Sequence, residues 1–300
     1  MTSCRRSRPV LLEPLDCRLL LAAPETVPVL HLVGFDQRGS TWTYQSKYSV
    51  TGTGFDDING RGEYTVGVRS KLKAIRGHDC AMVDVSSDGI TATTAWYTSK
   101  RGTYLASTFL ETELGNFRLN LADTRVAPKS LTVAQTDTQT SAVSGSIDPA
   151  DDLFDATATF KGDATTTWKL IDHQAVTVPA GTFDAIHGSF TARYEGRVKA
   201  QVSGFGVTFD VDVTVPMEFW AVEGRGIVLS SVGAEATAKP TGLAGLVLDD
   251  EYSAHALATN KLRTLDVPAA AAAAAVTRSL AAATFSTQSI AADTSDDLLG

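Results

Sequence analysis

The chain has 300 residues, enough for one or two domains, and a formal net charge of −8 argues against a nucleic-acid partner, which needs a basic face. A hydrophobic content of 43% and a charged content of 20% are ordinary for a globular protein. No run of eighteen apolar residues occurs, so no transmembrane span is expected of a helix.

Residues 1 to 23 carry Arg5, Arg6, Arg8 and Arg18 against Glu13 and Asp16, which leaves the rest of the chain strongly acidic. The basic start and the Leu19–Leu21 run suit a targeting segment, although Glu13, Asp16 and Arg18 break its apolar stretch. Leu12-Glu13-Pro14-Leu15-Asp16-Cys17-Arg18-Leu19-Leu20-Leu21 resembles the LEPR-XLL segment that opens many exported bacterial proteins, departing by Asp-Cys before the Arg. That resemblance implies export, to the periplasm or the cell surface. Whether the segment is cleaved stays open. Cys4 and Cys17 lie within it, so Cys80 stands alone in the body and no disulfide framework is expected.

From residue 41 the pattern is that of strands. Trp42, Tyr44, Tyr48 and Val50 alternate with polar residues, as do Tyr64, Val66 and Val68. Further runs cover 80–85, 91–98, 103–109 and 117–121. Residues 134 to 152, rich in Thr, Ser, Gln and Asp, read as a loop or a weak boundary. Strands resume over 154–160, 164–171 and 175–178.

The longest alternation comes next. Phe190, Ala192, Tyr194, Gly196, Val198, Ala200 and Val202 share one face, and so do Val207, Phe209, Val211, Val213 and Val215. A II′ turn at Gly204-Phe205 sets Val198 opposite Val211, with Lys199 meeting Asp210 and Arg197 meeting Asp212. After Ser231 the pattern weakens, and seven alanines from Ala269 to Ala275 open a low-complexity tail.

Val176 to Ile186 (V-T-V-P-A-G-T-F-D-A-I) and Phe219 to Leu229 (F-W-A-V-E-G-R-G-I-V-L) together look like a recurring pair in bacterial envelope domains. Those domains are related to the lipoprotein-carrier half-barrels (LolA/LppX-like). The resemblance implies a strongly curved antiparallel sheet around an apolar cavity, with a lipid or acyl chain as the ligand class. The expectation is an all-β, half-barrel-like domain over 38–232. A targeting segment and linker (1–37) precedes it and a C-terminal extension (233–300) follows.

No catalytic constellation, zinc spacing or nucleotide-binding motif is present, so neither enzyme nor cofactor nor metal site is expected. The aromatics Trp42, Tyr44, Tyr194, Phe209 and Trp220 could line a ligand cavity or fill a closed core. Two readings follow: a carrier of an apolar ligand, or a structural or interaction domain of the envelope. Oligomeric state and ligand identity stay open.

Overall fold

The computed structural model describes residues 25–53, 56–87, 90–112, 115–121, 124–149, 156–202, 205–241, 251–266 and 268. The expected targeting segment and the alanine-rich tail lie outside them. The elements are β1 (Thr26–Pro28), α1 (Val29–Leu32), β2 (Thr41–Gly52), β3 (Ile58–Val68), β4 (Lys73–Ile75), β5 (His78–Ser87), β6 (Ile90–Ser99), β7 (Gly102–Thr112) and β8 (Gly115–Leu121). They continue with β9 (Thr124–Ala127), β10 (Ser130–Thr132), β11 (Thr136–Pro149), β12 (Ala156–Val178), β13 (Gly181–Val202), β14 (Phe205–Val222), β15 (Gly226–Thr241) and β16 (Tyr252–Asp266).

The protein is all-β, and its antiparallel sheet curls further than a half-barrel. Hydrogen bonding runs β3-β2-β16-β15-β14-β13-β12-β11-β8-β7-β6-β5, and β5 then pairs back onto β3. The ladder thus forms a ring of twelve strands, with β4 and β9 lying off it. Side-chain alternation keeps one phase through the ladder. Phe160, Val198, Phe209, Ala238 and Tyr252 share the inward face, while Lys161, Arg197, Asp210 and Lys239 point out. A membrane-spanning barrel needs an apolar outer band. Here the outward positions of β12 to β14 are mostly Thr, Lys, Asp, Arg and Glu. No helix among the described residues is long and apolar enough to cross a membrane.

Several expected boundaries are corrected. The sheet does not stop at 232: β15 runs to Thr241, and β16 pairs with both β15 and β2. These strands turn alanines inward (Ala234, Ala236, Ala238; Ala254, Ala256, Ala258), and alanine carries little strand propensity, so their alternation was easy to pass over. Nor is the stretch before 38 merely a linker, because Val27, Val29 and Leu32 are buried in the core. The expected loop at 134–152 contains β11, a strand whose two faces both carry polar residues, Asp137, Gln139 and Ser141 inward and Thr136, Thr138 and Thr140 outward, so no apolar alternation marks it.

The expected register of the long hairpin is also wrong, by two residues. Val198 faces Phe209, not Val211, and Arg197 faces Asp210. Val202 pairs with Phe205, so the connection is Ser203-Gly204. A two-residue slip leaves every side chain on its own face, so alternation alone could not choose between the registers.

The two ends of the ring differ. Eight strands make a barrel that side chains can just fill, and twelve enclose more. At one end the surplus is taken up by the N-terminal segment. There β1 pairs with β10, and Val27, Val29 and Leu32 pack against Trp168, Leu170, Ile186, Phe219 and Ala221. Bulges at Ala95/Trp96, Leu170/Asp172, Trp220/Ala221 and Leu262/Thr264 fall at this same end, where they bend the strands. The Pro179-Ala180 turn crosses two strands, and the Ala180 N–H donates to the Leu262 carbonyl at 3.1 Å. The V-P-A-G-T-F stretch is therefore a clasp over this closed end. Full burial of side chains such as Phe219 stabilises by about 1.5–3 kcal/mol each.

Candidate apolar ligand site

In the other half of the ring the inward side chains are only half-buried. Val198, Phe209, Val211, Ala238 and Tyr252 line an open concavity of about 400 Å³. The β15–β16 wall beside it is built of directly paired small residues, Ala234 with Ala256 and Ala236 with Ala254. Each Ala leaves room that a larger side chain would occupy. Tyr48 and Tyr252, both on inward positions, are more than a third exposed.

Two tyrosines lie flat on this inner wall over glycines. A Cβ on Gly60 would sit 2.4 Å from the Tyr48 ring, and one on Gly196 would sit 2.4 Å from the Tyr194 hydroxyl oxygen. Tyr194 also meets Phe160 edge-on, with centroids 6.4 Å apart. Burial raises the Tyr194 phenol above its ordinary pKa.

The wall carries a polar patch as well. Thr166 is 5% exposed and lies opposite Gln139 in the β11–β12 ladder. Asp137, two residues before Gln139, is opposite Trp168 and shares this face. Thr166 Oγ1, both Gln139 amide atoms, Asp137 Oδ1 and Tyr194 Oη are buried without a hydrogen-bond partner in the protein.

The five aromatics singled out from the sequence are divided by the fold. Tyr194 and Phe209 stand on the half-exposed inner wall. Trp42 and Tyr44 fill the closed end: the Trp42 indole N–H donates to the Arg225 carbonyl at 2.5 Å, and the Tyr44 hydroxyl donates to that of Ile227 at 2.7 Å. Tyr44 stacks on Tyr64 at 5.0 Å, and burial holds both phenols far above their ordinary pKa. Trp220 follows Phe219 and points to the opposite face of β14. It stacks on His187 at 4.7 Å and donates to Gln174 Oε1 at 2.9 Å. His187 is held between Asp172 (3.1 Å) and Glu218 (2.8 Å), a polar clamp outside the inner wall. Cys80 is a buried thiol that packs with Met82, Ala95, Tyr97 and Ala106 and lies 3.5 Å from the His78 carbonyl oxygen.

Tyr252, the alanine wall and the Gln139–Thr166 pair were not singled out from the sequence. The alanine period of two was a usable signal. The polar pair had none, since Thr and Gln at strand positions ordinarily read as solvent-facing.

No family model matches the chain, and no curated protein matches it. Among solved structures, a candidate exported protein with a YmcC-like fold from Bacteroides fragilis NCTC 9343 aligns with 77% of this chain and 96% of its own, at 9% identity and a TM-score of 0.23. A candidate lipoprotein from Parabacteroides distasonis ATCC 8503 aligns with 76% of this chain and 95% of its own, at 9% identity and a TM-score of 0.21. Scores this low carry no argument about what the chain does.

Proposed function

We propose that this chain is an exported bacterial protein that holds an apolar ligand, a lipid or acyl chain, inside the half-exposed end of its barrel, and that it is a binder and not an enzyme. One observation carries the reading. Twelve strands enclose more than the eight whose side chains just fill a barrel, and the inner wall at Val198, Phe209, Val211, Ala238 and Tyr252 forms an open apolar concavity. Export rests on the Arg5–Arg8 cluster and the LEPR-XLL-like segment.

Native mass spectrometry of protein purified from cells, with lipid extraction, tests the ligand. A co-purifying lipid in stoichiometric amount supports the reading. A ligand-free mass, together with no binding of a fluorescent acyl probe, removes it. Deleting residues 2 to 23 tests the address: the variant should fold and stay inside the cell.

The second reading, a structural or interaction domain with a closed core, draws on the other end of the ring. There Trp42, Trp168 and Phe219 are buried and leave no room for a ligand. Under that reading the acyl probe should not bind.

A further inference from the structure

We propose that Gln139 and Thr166, with Asp137 beside them, form a hydrogen-bonding anchor for the uncharged polar head of the ligand, whose tail lies along the alanine wall of β15 and β16. This rests on the apolar-ligand reading above and adds the head-group chemistry to it.

The argument starts from polar satisfaction. Nearly all buried polar atoms in proteins are paired, because burying one without a partner forfeits its hydrogen bonds to water. Here three neighbouring side chains on one face break that rule: Asp137, Gln139 and Thr166. Gln139 and Thr166 are direct cross-strand partners, and Asp137 lies two residues before Gln139 on the same face, whereas the Tyr194 phenol leans away over Gly196. Asp137, Gln139 and Thr166 are therefore one patch. It lies beside the apolar wall, because a single rung of the ladder runs Ser141, Ala164, Tyr194, Val213, Ala236, Ala254.

The donor and acceptor inventory selects the head group. The Gln139 amide both donates and accepts, as does the Thr166 hydroxyl, whereas a carboxylate only accepts. No Lys or Arg occupies an inward position from Ala158 to Leu170 of β12, Ile186 to Ala200 of β13, Val207 to Ala221 of β14, or Ala254 to Leu262 of β16. A carboxylate or phosphate head would meet Asp137 without a neutralising cation. A head with hydroxyl and ester or amide groups can offer donors to Asp137 and the Gln139 oxygen and acceptors to the Gln139 amide N–H and the Thr166 hydroxyl. The matching class is a neutral acyl lipid such as a monoacylglycerol.

The test compares 1-monooleoylglycerol with oleate at pH 8, by displacement of a fluorescent acyl probe from the full chain and from Gln139→Leu, Thr166→Val and Asp137→Asn. The glycerol ester should bind wild type about tenfold or more tighter than oleate. Thr166→Val and Gln139→Leu should each weaken the ester about tenfold and leave oleate unchanged. Asp137→Asn, nearly isosteric, should strengthen oleate. Equal binding of both ligands by wild type, or ester affinity indifferent to these substitutions in variants that melt like wild type, overturns the anchor while the apolar-ligand reading stands. Binding of neither ligand by wild type overturns both.

Discussion

The Tyr194 phenol lies along its own strand over Gly196, close enough that a Cβ there would meet its oxygen at 2.4 Å and the Lys161 carbonyl at 2.6 Å. The ring covers backbone that lacks a side chain, and the glycine lets the ring lie flat on the wall. Gly196→Ala should cost about 1–3 kcal/mol in urea unfolding, because the carbonyl belongs to the paired strand and cannot move aside. A Tyr194→Ala, Gly196→Ala double variant should recover only the part due to the ring. If Gly196→Ala is neutral, the close packing of Tyr194 on the wall is wrong.

Val211 stands in the open concavity. A lysine there can extend its amine to solvent along a half-exposed wall, so Val211→Lys should cost only about 1 kcal/mol or less in stability. It should abolish binding of an acyl probe, because a charge then enters the apolar site. Loss of folding instead of loss of binding would mean that this end is packed and not open.

Arg69 forms a two-pronged pair with Asp84, Nε to Oδ2 at 2.7 Å and Nη2 to Oδ1 at 2.8 Å. The guanidinium hydrogen bonds, opposed by partial burial and joined by Thr93, hold the Asp84 carboxyl below the usual carboxylate range. A depressed folded pKa favours the folded state above the unfolded pKa. That contribution is lost as pH falls through the folded value, so the effect lies in the acid range below about pH 4. Arg69 is exposed and Asp84 only partly buried, so solvent screening limits the pair to about 1 kcal/mol. Arg69→Met should lower stability at pH 7 by that amount and flatten the acid limb. An unchanged slope between pH 5 and 2 would show that the pair is not formed in solution.

Tyr44 and Tyr64 give the opposite limb. Burial raises both phenols, and Tyr64 adds to the effect on Tyr44. A raised folded pKa leaves full stability below the unfolded value of 10.0, and stability then falls as pH rises above it. Phenolate absorbance of these two should therefore appear only with unfolding. Tyr44→Phe should make the alkaline limb shallower. Titration of all seven tyrosines in the folded state would contradict their burial.

Replacing His187 by Ala should remove the stacking partner of Trp220 and leave Asp172 and Glu218 facing each other's side of the clamp without the ring between them. The expected loss is about 1–3 kcal/mol, with a red shift in tryptophan emission. Acyl-probe affinity should not change, because Trp220 points away from the inner wall.

Strand identity from Trp42 onward was legible in the residues, and so was the inward set Tyr194, Val198 and Phe209, because alternation with period two follows from backbone geometry alone. Turn residues such as Pro179 and Gly181 were legible for the same reason, the latter with φ at +134°. Register was not, since a slip of two preserves both faces, and only the Val202–Phe205 pairing and the Arg197–Asp210 contact decide it. Which inward aromatics fill the barrel and which line it was likewise a tertiary matter. Trp42 and Phe209 carry the same local pattern, yet the N-terminal segment packs beside one and not the other. Closure of the sheet belongs to that level too. The pairing of β3 with β5 joins the two ends of a long ladder, and no local preference in either strand specifies a partner so placed.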